Sequence, residues 1–378
     1  MLKVGVIGIG NAGNQVAAYA DAVLKVPVLA INASEKDLST LPDNIRKIKM
    51  SKMADGTGKD RNVAKKYLKE SISPIVGSED VTQFKDVDVI FVVGSCGGGT
   101  GSGVAPVLTT ILSKMFPDSK VILVGILPSI QEAYSTQVNA LEYMNELYSS
   151  MENQTYMLYD NGKMDDLPSP VMMETVNKEI VEDIKVISGI YNLPTKFSSI
   201  DENDMRRIIN QKGRLVVARV EDIKEKDLDN QTIEDLIIKT LKTNAHTELQ
   251  RDKTVTSTGI IVNLSENINN GFNSHVKKVQ EFIGSPIYEF EHITINTDRK
   301  IKNDVFYIMS GLTKVNDRIL KISDRIEEIE ELQRKRDEEE DMMSTVDLGS
   351  LTDKINDKKD VKDDSELDIK AIWNQFGM

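Results

Sequence analysis

The chain has one cysteine, Cys96, in 378 residues. A single thiol makes no intrachain disulfide, which excludes a disulfide-stapled scaffold and fits a reducing cytosol. The three histidines, His246, His275 and His292, are scattered, and no CxxC or HExxH spacing occurs, so no protein-held zinc site is expected. No apolar run reaches 18 residues, which excludes a membrane-spanning helix. The opening segment MLKVGVIGIGN passes straight into a strand-like pattern without secretory or transit features, and the expected location is cytoplasmic. Positive charge is in deficit. The 47 Lys and Arg face 60 Asp and Glu, a net charge of −13 that argues against direct nucleic-acid binding.

That deficit is concentrated. Between Asp337 and Asp368 stand 13 acidic residues against four lysines, a net of −9, which leaves only −4 for the rest of the chain. With 40% hydrophobic residues the body has enough apolar material for a sizeable core, and the length suits two domains and a tail. No internal repeat is present.

The first half alternates strand-like and helix-like segments. Val4–Ile9, Val26–Ile31, Ile45–Met50, Asp86–Gly94, Lys120–Leu127 and Thr155–Tyr159 read as strands. Asn11–Leu24, Arg61–Ile72, Ser102–Met115 and Gln131–Tyr148 read as helices. The runs DVDVIFVVG and KVILVGIL are continuously apolar and β-branched, as in strands buried on both faces of a parallel sheet. Alternation of this kind means a doubly wound α/β domain. Pro168 and Pro170 introduce a long helix over Val171–Ile190. Beyond Pro194 the rhythm changes to short helices (203–210, 232–241, 273–283) and strands (214–220, 259–264, 287–295, 305–309), a smaller α+β domain. Val315, Ile319, Ile322, Ile326 and Ile329, spaced 4, 3, 4 and 3, mark an amphipathic helix that packs on its own body or on a neighbouring subunit. From Glu338 to Ser365 charge dominates and disorder is expected.

Two glycine-rich turns follow strands and open helices. Gly8-Ile-Gly10-Asn-Ala-Gly13 alone is the weak signal of a dinucleotide-binding Rossmann domain, an oxidoreductase reading. That reading wants an acidic residue at the end of the second strand, where this chain has Asn32. The second turn, Gly94-Ser-Cys-Gly97-Gly-Gly-Thr100-Gly-Ser-Gly103, carries a row of backbone N–H donors suited to a di- or triphosphate. Gly56-Thr-Gly-Lys59 is not a Walker A motif, because Asp60 follows the lysine.

The run GGGTGSG at Gly97–Gly103 resembles the signature loop of the tubulin/FtsZ superfamily of GTPases, and its continuation Val104-Ala-Pro106 is similar to FtsZ. The likeness extends from Lys3 to about Met309. It implies GTP or GDP with Mg²⁺ as cofactors, hydrolysis at subunit interfaces, and head-to-tail homopolymers. It also implies an order of parts. A Rossmann-like GTPase domain would span residues 1–169 and a central helix 170–194. A smaller activation domain would cover 195–311, a long C-terminal helix 312–337, and an acidic tail 338–378.

Carried over by motif, Gly10, Asn11 and Asn14 would lie in the first phosphate loop. Gly97, Gly98, Gly99, Thr100, Gly101 and Ser102 would lie in the second. Asn32 would face ribose or phosphates, and Gly56, Thr57 and Gly58 the γ-phosphate. Glu132 would contact the sugar, although the arginine expected four residues later is Thr136. Asn161 and Asn177 would bond the guanine edge, with Met173 packed against the base. Asp201 and Asp204 would polarise the attacking water from the next subunit. By spacing alone two aspartates at i and i+3 are more often an N-cap and its neighbour.

Gly125-Ile-Leu-Pro128 and the 201–204 loop look more like the TubZ branch, which implies filaments that segregate plasmid or phage DNA through a TubR-like DNA-binding adaptor. Leu367-Asp-Ile369 keeps an FtsZ-like division filament as the alternative. Leu367, Ile369, Ile372, Trp373 (the only tryptophan) and Phe376 could line one face of a terminal helix that anchors the partner.

Overall fold

Strands rich in Val, Ile and Leu cannot leave either face in water, so the apolar runs of the first half must be covered by helices on both sides. The computed structural model describes residues 1–51, 55–189, 202–249, 255–265, 268, 276–296 and 302–344. Met1–Ile326 and Glu327–Met378 are separate compact units. In the first unit the elements run β1 (Val4–Ile9), α1 (Gly10–Leu24), β2 (Val28–Asn32), α2 (Glu35–Ser39), β3 (Arg46–Lys49), α3 (Arg61–Val76), α4 (Glu79–Thr82), β4 (Val89–Ser95), α5 (Gly99–Met115), β5 (Lys120–Leu127), α6 (Tyr134–Ser150), β6 (Thr155–Asp160) and α7 (Ser169–Ser188). They continue with α8 (Glu202–Ile209), β7 (Gly213–Val220), α9 (Ile233–Thr243), β8 (Ser257–Ser265), α10 (Lys277–Ile283), β9 (Tyr288–Asn296), β10 (Asp304–Leu312) and the start of α11 (Asn316–Ser344).

Among the described residues all ten strands join one sheet in the order β3-β2-β1-β4-β5-β6-β7-β10-β8-β9. The first six are parallel. The β6–β7 seam is narrow, with only Thr155 opposite Gly213 and Tyr156 opposite Arg214. Past it, β10 runs antiparallel to both β7 and β8. The fold is thus the doubly wound α/β arrangement expected, continued by a mixed smaller sheet. Its order places a topological switch between β1 and β4, the crevice where open α/β sheets bind ligands.

Three apolar clusters cover this sheet. Val16, Ala17 and Ala20 of α1 pack with Val176, Ile180 and Ile184 of α7 on one face, and Ile208 of α8 joins them. Leu68, Leu108, Leu112 and Tyr143 of α3, α5 and α6 cover the other face, together with Ile322 and Ile326 of α11. The periodic apolar stripe of α11 therefore packs on its own body over Val315–Ile326. Ile237 and Leu241 of α9 and Val279 of α10 close the third cluster over β7, β8 and β10.

Some boundaries differ from expectation for local reasons. Helix α5 starts at Gly99, three residues before the expected Ser102, because its glycines allow backbone approaches that side chains would block. A Cβ on Gly103 would lie 2.6 Å from the Arg61 carbonyl oxygen. Pro106 sits inside α5 and lacks the N–H that would bond the Ser102 carbonyl. Buried Arg61 takes that carbonyl instead at 3.0 Å and also pairs with Glu142 and Glu146. Helix α6 starts at Tyr134 rather than Gln131. Ahead of it, Glu132 turns back to accept the Ser129 N–H at 3.0 Å. In the second unit α11 runs to Ser344, beyond its expected end at Asp337. The i,i+4 pairs Glu331–Lys335 and Arg336–Glu340 favour helix in that charged stretch. The rest of the expected tail, 345–378, lies outside the described residues.

Arg318 pins the start of α11. Its Nε donates to Asp160 Oδ2 at 2.6 Å, and its Nη2 reaches the Pro128 carbonyl and Asp160 Oδ1 at 2.6 and 3.1 Å, all buried. Removing one partner strands the other charge out of water. Arg318→Ala should cost about 3–5 kcal/mol by denaturant unfolding. Leu320→Ala, at a 59% exposed position, should leave the midpoint unchanged.

Candidate functional site

At the switch point the helices α1 and α5 begin side by side. A Cβ on Gly10, at φ +70°, would lie 3.0 Å from the Gly101 nitrogen. Neither helix has a side-chain N-cap or an acidic residue in its first turn. Two sets of first-turn N–H groups and two positive dipole ends therefore point to one place without an internal partner. That combination favours a bound anion.

A cavity of about 540 Å³ opens there, within the range of small-molecule sites. Of the expected phosphate-loop residues, Gly10, Asn11, Gly97, Gly98, Gly99, Thr100 and Gly101 line it. Gly56, Thr57, Gly58, Asn32, Glu132, Asn161, Met173 and Asn177 line it as well. Two of the expected set do not. Asn14 is 1% exposed and its amide has no partner, because it follows Gly13 into the first turn of α1 against the sheet. Ser102 is fully buried and its hydroxyl bonds back to the Gly98 carbonyl, so it braces the loop from behind. Cys96 is also buried, and burial pushes its thiol well above the ordinary range, which leaves it inert.

The walls carry distinct chemistry. Asn32 accepts the Ala33 and Ser34 N–H groups at 2.8 and 3.3 Å and donates to Asp37 Oδ2 at 3.2 Å. Asp37 thus supplies a carboxylate that β2 itself lacks. Its signal was Ser34, the N-cap of α2, which bonds the Asp37 N–H. Burial pushes the Glu132 carboxyl up, against the Ser129 N–H and the charge of Lys59. Asn161 follows β6, where Asp160 Oδ1 accepts the Gly162 N–H at 2.9 Å, and its own Oδ1 is buried without a partner. Asn177 and Met173 stand one turn apart on α7, Met173 53% exposed. Lys59, Gln15, Ser34, Ser95 and Thr136 also line the cavity and were not among the expected contacts.

Asp201 lies outside the described residues. Asp204 is on α8 and accepts the Tyr288 hydroxyl at 2.6 Å. It is not part of the cavity. Arg206, on the same helix, pairs at 2.6 Å with Asp88, which stands just before β4. The glycine loop follows the other end of that seven-residue strand, roughly 20 Å away at ~3.3 Å per residue. Within one chain Asp204 cannot reach the cavity.

Residues 3–168 match the model of the Tubulin/FtsZ family, GTPase domain. Among sequence relatives, the tubulin-like protein CetZ of Pyrococcus horikoshii is 27% identical over 216 residues, covering 55% of this chain and 58% of that protein. The tubulin-like protein TubZ of Clostridium botulinum C phage is 26% identical over 199 residues, covering 51% and 52%. The chain thus aligns with little more than half the length of these curated relatives. Among solved structures, Clostridium botulinum phage c-st TubZ without its C-terminal tail superposes with a TM-score of 0.69 at 21% identity, over 86% of this chain and 97% of that one. That likeness establishes the fold. The glycine loops mark the superfamily and not the branch, so they do not single out CetZ.

Gly98 offers the cleanest probe of the anion site. A Cβ there meets nothing closer than Ser95, at 3.9 Å. A Cβ on Gly99 would instead come within 2.8 Å of Lys59 backbone, so Gly99→Val perturbs the fold as well. Gly98→Val should lower affinity for a nucleoside triphosphate at least 10-fold in titration calorimetry while the melting temperature stays within a degree or two of wild type.

Proposed function

Because residues 3–168 match the Tubulin/FtsZ family model, we propose that this protein binds GTP at the β1/β4 switch point and hydrolyses it at the junction between copies in a head-to-tail filament. The observation that supports this most is the separation just described. Uncapped helix ends and the unpartnered Asn161 Oδ1 sit at one edge of the sheet, and helix α8, with Glu202 and Asp204 in its first turn, sits at the other. Stacking two copies end to end would bring Asp204 of one to the cavity of the next.

In this reading residues 1–169 bind nucleotide, helix α7 links the parts, and residues 195–311 complete the neighbour's site. Asn161 and Asn177 bond the base edge, the N-termini of α1 and α5 hold the phosphates, and Glu132 contacts the sugar. Asp204, with Asp201, orients the attacking water and accepts its proton; catalysis of phosphoryl transfer rests on such positioning. Mg²⁺ supplies charge neutralisation at the phosphates. Among the described residues no cluster of three or more His, Cys, Asp or Glu could hold a metal, so phosphate oxygens and water would carry most of its shell.

The finer reading is DNA segregation of the TubZ kind, in which the tail recruits a basic, DNA-bound adaptor. A net charge of −9 between Asp337 and Asp368 suits such a partner and repels bare DNA. The anchor residues Leu367, Ile369, Ile372, Trp373 and Phe376 lie outside the described residues, and their role is read from sequence. No described helix is long and apolar enough to cross a membrane.

Two measurements test these proposals. Asp204→Ala and Gly98→Val should each lose most GTP turnover, the first with affinity retained. An equimolar mixture should recover part of it, since mixed junctions pair an intact cavity with an intact Asp204. No recovery at any ratio would place hydrolysis elsewhere. Deleting residues after Glu366 should spare turnover and pelleting but abolish co-pelleting of an adaptor–DNA complex, and Trp373→Ala should weaken it severalfold.

A further inference from the structure

Among the described residues that line the cavity, Lys59 is the only Lys, Arg or His. Two carboxylates, Asp37 and Glu132, also line it. A nucleoside triphosphate carries about four negative charges, and each helix end offers only about half a positive charge. The site therefore depends on this one ammonium for a full counter-charge, unless a bound cation supplies more.

Its placement is closely determined. The Lys59 Nζ donates to Thr136 Oγ1 at 3.1 Å and makes no ion pair with a described carboxylate. Thr136 packs where a Cβ on Gly97 would stand, so the ammonium lies beside the glycine cradle. The Asn139 amide donates to both the Lys59 carbonyl, at 2.8 Å, and the Gly97 carbonyl, at 3.1 Å, and so ties the lysine to the cradle's backbone. Lys59 also takes φ +63°, next to Gly58 at +59°. A left-handed lysine is strained, and such strain persists where the surroundings over-determine it. A glycine would hold this turn more easily. What the lysine adds is its charge.

We propose that Lys59 meets the terminal phosphate of a bound nucleoside triphosphate and makes this site prefer triphosphate over diphosphate. The proposal rests on the nucleotide reading above. Thr136 is the ammonium's resting partner, a neutral hydroxyl that it can leave at little cost. The phosphate offers a charge-assisted bond in its place.

The test is equilibrium binding of GTP, GDP and guanosine to full-length protein held below its assembly concentration. Lys59→Met keeps the apolar stem and removes the charge. It should weaken GTP roughly 10- to 100-fold, the range for one charged hydrogen bond, and GDP less than about 3-fold, with guanosine unchanged. Lys59→Arg should retain most GTP affinity. Lys59→Gly relieves the left-handed strain, so it should fold at least as stably and show the same triphosphate-selective loss. Unchanged GTP affinity in Lys59→Met and Lys59→Gly, or equal losses for GTP and GDP, would overturn this assignment alone. Wild-type protein that binds neither nucleotide would overturn the nucleotide reading and this assignment with it.

Discussion

The first turn of α1 can lie on the sheet only because nothing projects from Gly8 or Gly13. A Cβ on Gly13 would collide with the Val93 carbonyl of β4, and one on Gly8 with the Gly13 carbonyl. This backbone-on-backbone contact sets the N-terminus of α1 across β1 and β4. Gly101 repeats it for α5, where a Cβ would come within 2.8 Å of the Ser95 nitrogen. Without these approaches the two helix ends would stand apart, and their unpaired N–H groups would face water instead of one shared cavity.

Buried charge holds the surrounding frame. Asp183 of α7 accepts the Tyr159 hydroxyl at 2.7 Å, Arg219 Nε at 2.7 Å and lies 2.8 Å from His246 Nε2. Burial would push its carboxyl up, but Arg219 and His246 hold it below the usual carboxylate range. One side chain thus joins α7 to β6 and β7. Since the β6–β7 ladder spans only two residue pairs, this network carries much of the register between the parallel and mixed parts of the sheet. Arg61 and Arg318 do comparable work for α3, α5, α6 and the start of α11. Each such group is costly to bury, and its partners are what make it tolerable. Arg318 has a second consequence, because Asp160 adjoins Asn161. The start of α11 is therefore bonded to the loop proposed to read the base.

The polarity of the first unit follows from the parallel strands. All six run the same way, so every loop after a strand gathers at one edge and every residue before a strand at the other. Glycine cradles, Asn161 and Lys59 collect at the first edge, Asp88 and the Asp204 helix at the second. The two edges of the parallel sheet therefore differ in chemistry.

The sequence by itself determined much of this. Continuous β-branched runs specified buried parallel strands, and β1 and β5 fall on the residues expected. The glycine spacing marked both close backbone approaches, since no other residue allows them, and most of the expected site residues line one cavity. What it could not determine was long-range. Strand order, and with it the switch point, depends on which strands pair, and pairing is decided by packing between segments dozens of residues apart. Asn14 and Ser102 matched the motif, yet helix register turned both away from the cavity. Lys59 was legible only as a failed Walker motif. Its role became visible once Thr136 and Asn139, 77 and 80 residues away, were folded against it, because an ammonium takes its function from what surrounds it and not from its neighbours in sequence.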